Sequence, residues 1–225
     1  DGPACGGRGP GQANGRDGDP VSASGSLTIT SDDDSRIAGS AVAVGSLSVD
    51  ETNAVPGGFP ISASSGSAMI AALFNYGADG AQTSGAPAYA LSLTAGGATT
   101  LVTALGGFPI TLVQTSSTAI TGQYSNGGTQ TAFTVSINAT TGIVTLTQNI
   151  ALEHNIDGNN SAGEHNDVLT LAGLITATVT ITDRDGDSHE GRAQIGGNLS
   201  FFDDGPAAVA DTNMVTEGAV VSGNV

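Results

Sequence analysis

The chain has no lysine, no tryptophan and only one cysteine, and each shortage closes off some functions. Without lysine, its five basic residues are the arginines Arg8, Arg16, Arg36, Arg184 and Arg192, set against 21 acidic residues for a formal charge of −16. Nucleic acid and anionic membrane are excluded as partners, because binding either needs clustered cations. The lone thiol, Cys5, has no internal disulfide partner. A secreted fold of this sequence therefore needs another staple, and metal is the obvious one, although a cytosolic protein with one idle thiol fits the same count. No run approaches a membrane span; the most apolar piece, Ala68 to Phe74, is far too short. Asp1-Gly2-Pro3 opens a polar loop rather than a leader. That points to a removed signal, a C-terminal export signal or an origin inside a longer chain.

Catalysis lacks its usual parts. His154, His165 and His189 do not form a zinc-protease spacing, no serine stands in a nucleophile elbow, and Cys5 lies in a Gly-rich stretch unsuited to holding a thiolate. Six Phe, three Tyr and no Trp are too few aromatics for the sugar cleft of a glycosidase. The expectation is that the protein is not an enzyme.

What is abundant is Gly, Ala, Ser and Thr, with 38% hydrophobic residues placed in regular alternation. Alternation of period two argues for folded sheet rather than a solvated coil. Its clearest case is Leu174 to Thr182, where Ile175, Ala177, Val179 and Ile181 point one way and Thr176, Thr178, Thr180 and Thr182 the other, toward water. Phe133, Val135 and Ile137 lead through Asn138–Gly142 into Val144 and Leu146, the pattern of a hairpin. Further strands are predicted at Ser26–Thr30, Ala41–Val49, Ser67–Phe74, Ala88–Thr94, Thr99–Leu105, Ile110–Gln114, Ala119–Tyr124, Arg192–Ile195 and Leu199–Phe202. With no helical periodicity, the fold class is all-β: an antiparallel β-sandwich, immunoglobulin- or cadherin-like, with extended terminal segments. Residues 1–40 read as a Gly/Asp-rich linker or N-terminal extension, 41–206 as the sandwich, and 207–225 as a linker or the first strand of a following repeat. Asp1-Gly2-Pro3 repeats Asp204-Gly205-Pro206, as suits a segment of a tandem array.

The sharpest chemical motif is Asp183-Arg184-Asp185-Gly186-Asp187, in the turn after the best strand. Asp183, Asp185 and Asp187 on one tight loop repel unless a cation intervenes. Hard oxygen donors without a Cys or His cluster favour Ca²⁺. A polar hairpin loop, in which Asp and Gly serve turn geometry alone, is the competing account. Ser188 and Gln194 stand where an EF-hand needs Gly and Glu, so the loop is not one. Asp50-Glu51 and Asp203-Asp204 each end a predicted strand, and at one pole of a sandwich they could share cations. Asp79 reads as a turn former, Asp32–Asp34 as a solvated face, and Glu217 as part of a following junction. The Gly-rich start, Gly6 to Gly11, fails the calcium nonapeptide where Asp is required.

Ordered motifs add a resemblance. Leu47-Ser48-Val49-Asp50-Glu51-Thr52, Asn75-Tyr76-Gly77-Ala78-Asp79-Gly80 and Tyr89-Ala90-Leu91-Ser92-Leu93 are followed by Phe133–Ile137, Gly142–Gln148, Ala151-Leu152-Glu153-His154, Thr182–Asp187 and Phe202–Pro206. Over about residues 45 to 206 this order resembles the tandem repeat domains of giant type I-secreted adhesins and repeats-in-toxin surface proteins. The resemblance implies an extracellular repeat at a bacterial cell surface whose partners are neighbouring repeats. It also implies Ca²⁺ at Asp50, Glu51, Asp183, Asp185, Asp187, Asp203 and Asp204. The N-terminal 40 residues match nothing in that pattern. The expected function is a calcium-rigidified spacer. Two alternatives stand beside it: a filament subunit that adds residues 207–225 as a strand to a like subunit, and a calcium-dependent module binding host or surface glycans.

Overall fold

Alternating apolar and hydroxyl-bearing residues set the architecture, because each strand can bury one face and leave the other wet. In the computed structural model the described residues are 41–54, 58–72, 86–154, 167–184 and 186–204, with the backbone of 11–14 and 20–23. The chain divides into two compact units, Asp1–Arg36 and Ile37–Val225. In the first, β1 (Gly11–Asn14) pairs antiparallel with β2 (Pro20–Ala23), within the stretch expected to be linker. The strand predicted at Ser26–Thr30 and the segment 207–225 lie outside the described residues.

The second unit carries β3 (Val42–Ala43), β4 (Leu47–Asp50), β5 (Ile61–Ala68), β6 (Ile70–Ala71), β7 (Ala88–Leu93), β8 (Ala98–Val102), β9 (Pro109–Ser116) and β10 (Ala119–Ser125). It continues with β11 (Thr129–Ile137), β12 (Ile143–Gln148), β13 (Val168–Thr170), β14 (Ile175–Thr182), β15 (Ser188–Gln194) and β16 (Leu199–Phe202). One layer is a six-stranded antiparallel sheet in the order β5-β12-β11-β10-β9-β8. Against it lie two three-stranded sheets, β13-β16-β4 and β15-β14-β7, and β3 pairs with β6. The fold is an all-β sandwich, antiparallel except where β16 and β4 run parallel.

The layers meet through Phe133 of β11 and Phe201 of β16, both fully buried, with ring centroids 4.9 Å apart and planes tilted by 55°. Such a pair contributes about 0.5–1.5 kcal/mol beyond the burial of its area. Around it, Val135, Val144, Leu146, Ile120, Ile175, Leu199 and Leu171 are also sealed from solvent.

Several expected strands change on folding: Thr99–Leu105 ends at Val102, and Arg192–Ile195 begins at Ser188 and ends at Gln194. Ala41–Val49 is broken at Val44–Ser46, where the Val44 N–H turns to the Met69 carbonyl at 3.0 Å. The strand expected from Ser67 begins instead at Ile61, through a serine-rich run. There Ser62 and Ser64 pair hydroxyl to hydroxyl with Thr147 and Thr145 of β12 at 2.8 and 2.7 Å. These bonds are tertiary, so periodicity of apolar residues did not signal them. On β14, Thr176, Thr180 and Thr182 are half-buried, but Thr178 is buried. It sits mid-sheet, in register with Ala90 on one side and Arg192 on the other.

The predicted hairpin forms between β11 and β12, with Ile137 opposite Val144. Asn138 Oδ1 accepts from the N–H groups of Thr140 and Thr141 at 2.9 and 3.0 Å, and Gly142 takes φ +69°. A Cβ at Gly142 would stand 2.7 Å from Tyr89 Cε1 and 2.9 Å from Ala68 Cβ, whereas at Gly127, with φ +70°, it would meet nothing within 4 Å. Both Gly→Ala changes pay about 1 kcal/mol for the left-handed backbone. Only Gly142→Ala also collides, so urea denaturation should show it losing at least about 1 kcal/mol more than Gly127→Ala. Equal losses would mean that β7 does not press on this turn.

Candidate metal centre at one sheet end

Register alone assembles the site. Because β16 and β4 are parallel, with Leu199 opposite Leu47 and Phe202 opposite Asp50, the next residue of each strand, Asp203 and Glu51, emerges at the same end. β13 pairs antiparallel with β16, Val168 opposite Phe202, so Asp167 enters beside Asp203, whose N–H donates to the Asp167 carbonyl at 3.2 Å. A fourth arm follows β12: Leu152 bridges to Thr103, the Glu153 N–H donates to Val102 O at 3.0 Å, and His154 is thereby held inward.

Glu51 begins a 3₁₀ turn (Glu51–Ala54) and is only 4% exposed. Its Oε1 accepts from Gln148 Nε2 at 2.6 Å and from the Leu152 N–H at 2.9 Å. A carboxylate with a charged oxygen bonded to two donors tolerates burial that would otherwise be costly. His154 Nε2 lies 3.8 Å from the same Oε1, a charge contact rather than a hydrogen bond, and His154 Nδ1 lies 3.1 Å from Asp167 Oδ1.

Two overlapping groups of potential ligands result, each with donor atoms within 4.8 Å of one another: His154, Asp167 and Asp203, and Glu51, Asp203 and Asp204. Asp203 belongs to both. These clusters could hold a metal ion. The second is all carboxylate oxygen, a donor set that suits hard cations.

Of the residues expected from sequence, Glu51, Asp203 and Asp204 converge here. Asp50 does not join them; its Oδ1 accepts from the Thr52 N–H at 2.9 Å and caps the turn. Asp183 and Asp187 belong to neither group among the described residues, and Asp185 lies outside those residues. Asp183 is buried, and its Oδ1 accepts from the N–H groups of Gly186 and Asp187 at 3.2 and 3.0 Å, which closes the turn. His154 and Asp167 were not anticipated. The histidine figured only for lacking a zinc-protease spacing and in the motif Ala151-Leu152-Glu153-His154, and β13 is three residues long with Val168 and Thr170 exposed, too short for a periodic signal.

Fold and site together define an all-β sandwich domain with a metal-competent acidic sheet end. The chain belongs to the family described as "Domain of unknown function (DUF5801)", whose model matches residues 46–196. The match takes in Glu51, His154 and Asp167 and ends before Asp203. No curated protein and no solved structure matches the chain significantly. No helix among the described residues is long and apolar enough to cross a membrane.

The cluster shifts its own protons. Burial is the largest influence on His154 and acts to lower its pKa, but Glu51, Asp203 and Asp167 outweigh it and raise the imidazole above its ordinary 6.5. Asp203 is raised above 3.8, chiefly by burial, with Asp167 and Glu51 adding to the rise while His154 and a backbone hydrogen bond from Asp204 oppose it. Both groups hold protons more tightly folded than unfolded. The His154 contribution to stability is therefore complete below 6.5 and is lost as pH rises through its folded value. In chelator, the melting temperature should fall between about pH 6 and about pH 8, and His154→Gln should flatten that slope. A melting temperature that rises over this interval would contradict the geometry. For the other loop, Asp183→Ala should cost about 1–3 kcal/mol in urea denaturation already without any divalent cation, since two N–H groups lose their acceptor.

Proposed function

We propose that the domain is a calcium-rigidified structural repeat, a spacer in a large extracellular adhesin or surface fibre of a bacterium, and not an enzyme. The observation that carries the reading is the parallel register of β16 and β4, which delivers Glu51, Asp203 and Asp204 to one sheet end. A formal charge of −16 without a single lysine supports it, because no lysine ammonium is available to neutralise that end. The resemblance of the ordered motifs to type I-secreted adhesin repeats supports the extracellular setting and the tandem arrangement.

In this reading the chemistry is mechanical. Carboxylates that repel in the absence of a cation are drawn together when one binds, and binding only the folded form stabilises it by mass action. Extracellular calcium modules have dissociation constants of about 10⁻⁴ to 10⁻³ M, matched to calcium outside cells. Asp203 and Asp204 directly follow β16, the last described strand, so a cation held there stiffens that end of the β13-β16-β4 sheet.

Calorimetry tests this. Calcium at about ten to a hundred times its dissociation constant should stabilise the wild type by about 1.4–2.7 kcal/mol. For a domain of this size that is a rise of roughly 3–10 °C over the melting temperature in chelator. The double variant Asp203→Asn, Asp204→Asn should lose that rise. No calcium effect on the wild type, or an equal effect on the variant, removes the proposal.

A further inference from the structure

The carboxylate group takes in Glu51, Asp203 and Asp204 but does not include His154. A neutral imidazole is a poor calcium ligand. Yet the His154 side chain is 2% exposed, held beside Asp167 and Asp203. Neither ring nitrogen makes a hydrogen bond, although Nδ1 is only 3.1 Å from Asp167 Oδ1. A buried imidazole normally donates from at least one nitrogen, so close approach without alignment is unusual. Two donors about 2.1 Å from one ion lie roughly 3.0–3.4 Å apart, which brackets the observed separation. The other nitrogen faces Glu51 Oε1 at 3.8 Å. A carboxylate on the far side of an imidazole orients it and raises its basicity as a ligand.

The geometry points to a second, chemically distinct metal site formed by His154, Asp167 and Asp203, which takes a first-row transition-metal dication of the Zn²⁺ type. Nitrogen and carboxylate donors together suit such an ion better than calcium. Asp203 stands between the two groups, so the same side chain borders a hard-cation site on one side and a borderline-cation site on the other. This site goes beyond the spacer reading, since it depends on His154 and stands whether or not Glu51, Asp203 and Asp204 hold calcium.

The test uses the full, tag-free chain and zinc itself. His165 and His189 are first changed together to Gln, which leaves His154 as the sole imidazole of the three in the sequence. With about one equivalent of zinc and about 5 mM calcium present, zinc-edge X-ray absorption should show an imidazole in the zinc coordination shell. Isothermal titration should give one zinc site that calcium does not displace, and adding His154→Gln should weaken it by about 100-fold or more. The calcium-dependent melting rise should persist in the His154→Gln variant, which separates failure of this site from failure of the spacer proposal. An all-oxygen zinc shell in the His165→Gln, His189→Gln protein, or displacement of its zinc by calcium, overturns the inference. The absorption measurement decides even if His154→Gln fails to fold.

Discussion

Mutual repulsion among carboxylates at the end of the β13-β16-β4 sheet is the constraint on which the rest of the molecule turns. Parallel pairing of β16 with β4 gives no freedom in the matter: once Leu199 sits opposite Leu47, Glu51 and Asp203 must leave the sheet side by side. Two carboxylate oxygens at the 4.8 Å limit of the cluster repel by about 3 kcal/mol at an effective dielectric of about 20. A domain with only about 5–15 kcal/mol of net stability cannot ignore several such terms. Something positive has to answer them, and the options on hand are few. Protonation of His154 supplies one charge, protonation of Asp203 removes one, and a divalent cation supplies two. The neighbouring carboxylates raise the pKa of His154 against the effect of its burial, and on Asp203 they add to a rise that burial chiefly causes.

The sandwich is built so that this end is tied to its interior. Glu51 accepts from Gln148, the last residue of β12 in the six-stranded layer, while its own backbone continues β4 in the opposite layer. Phe133 and Phe201 join the same two layers from inside, and Phe201 lies two residues before Asp203. A change in the charge state of the cluster is therefore felt by elements that share the main core, not by a loop that can yield on its own. A packed core transmits strain poorly tolerated by its neighbours. A site in that position can set rigidity, which is what a spacer requires and what a site on a mobile loop would not give.

How much of this the sequence disclosed depends on whether a feature is local. Strands such as Ile175–Thr182 and Leu199–Phe202 were legible because alternation is written in adjacent residues. Ile61–Ala68 was partly missed because its partners, Thr145 and Thr147, lie some eighty residues away and pair through hydroxyl groups. Acidic strand ends were visible as Asp50-Glu51 and Asp203-Asp204, yet which member of the first pair faces the cluster depended on the turn after β4. Asp50 caps that turn, and Glu51 is directed inward. His154 and Asp167 could not be placed from sequence. The residues between them carry no period, and only pairing of the three-residue β13 with β16 brings Asp167 to Asp203. The Asp183 loop, the most eye-catching motif, closes its own turn with its first carboxylate.

The absence of lysine bears on why an exchangeable ion, rather than a built-in one, would neutralise this end. A lysine ammonium placed among Glu51, Asp203 and Asp204 would satisfy them permanently, at the entropic cost of one long side chain. The sequence offers only five arginines. Of the two among the described residues, Arg192 pairs with Glu190 on β15, and Arg184 lies in the Asp183 turn. Among the described residues no fixed cation is thus assigned to the sheet end, which leaves protons and ions from solution to compensate it. A neutraliser that comes from solution makes stiffness a property of the surroundings: rigid where divalent ions are plentiful, loose where they are scarce. In the spacer reading proposed above, that dependence is the useful property, and a lysine in the same place would abolish it.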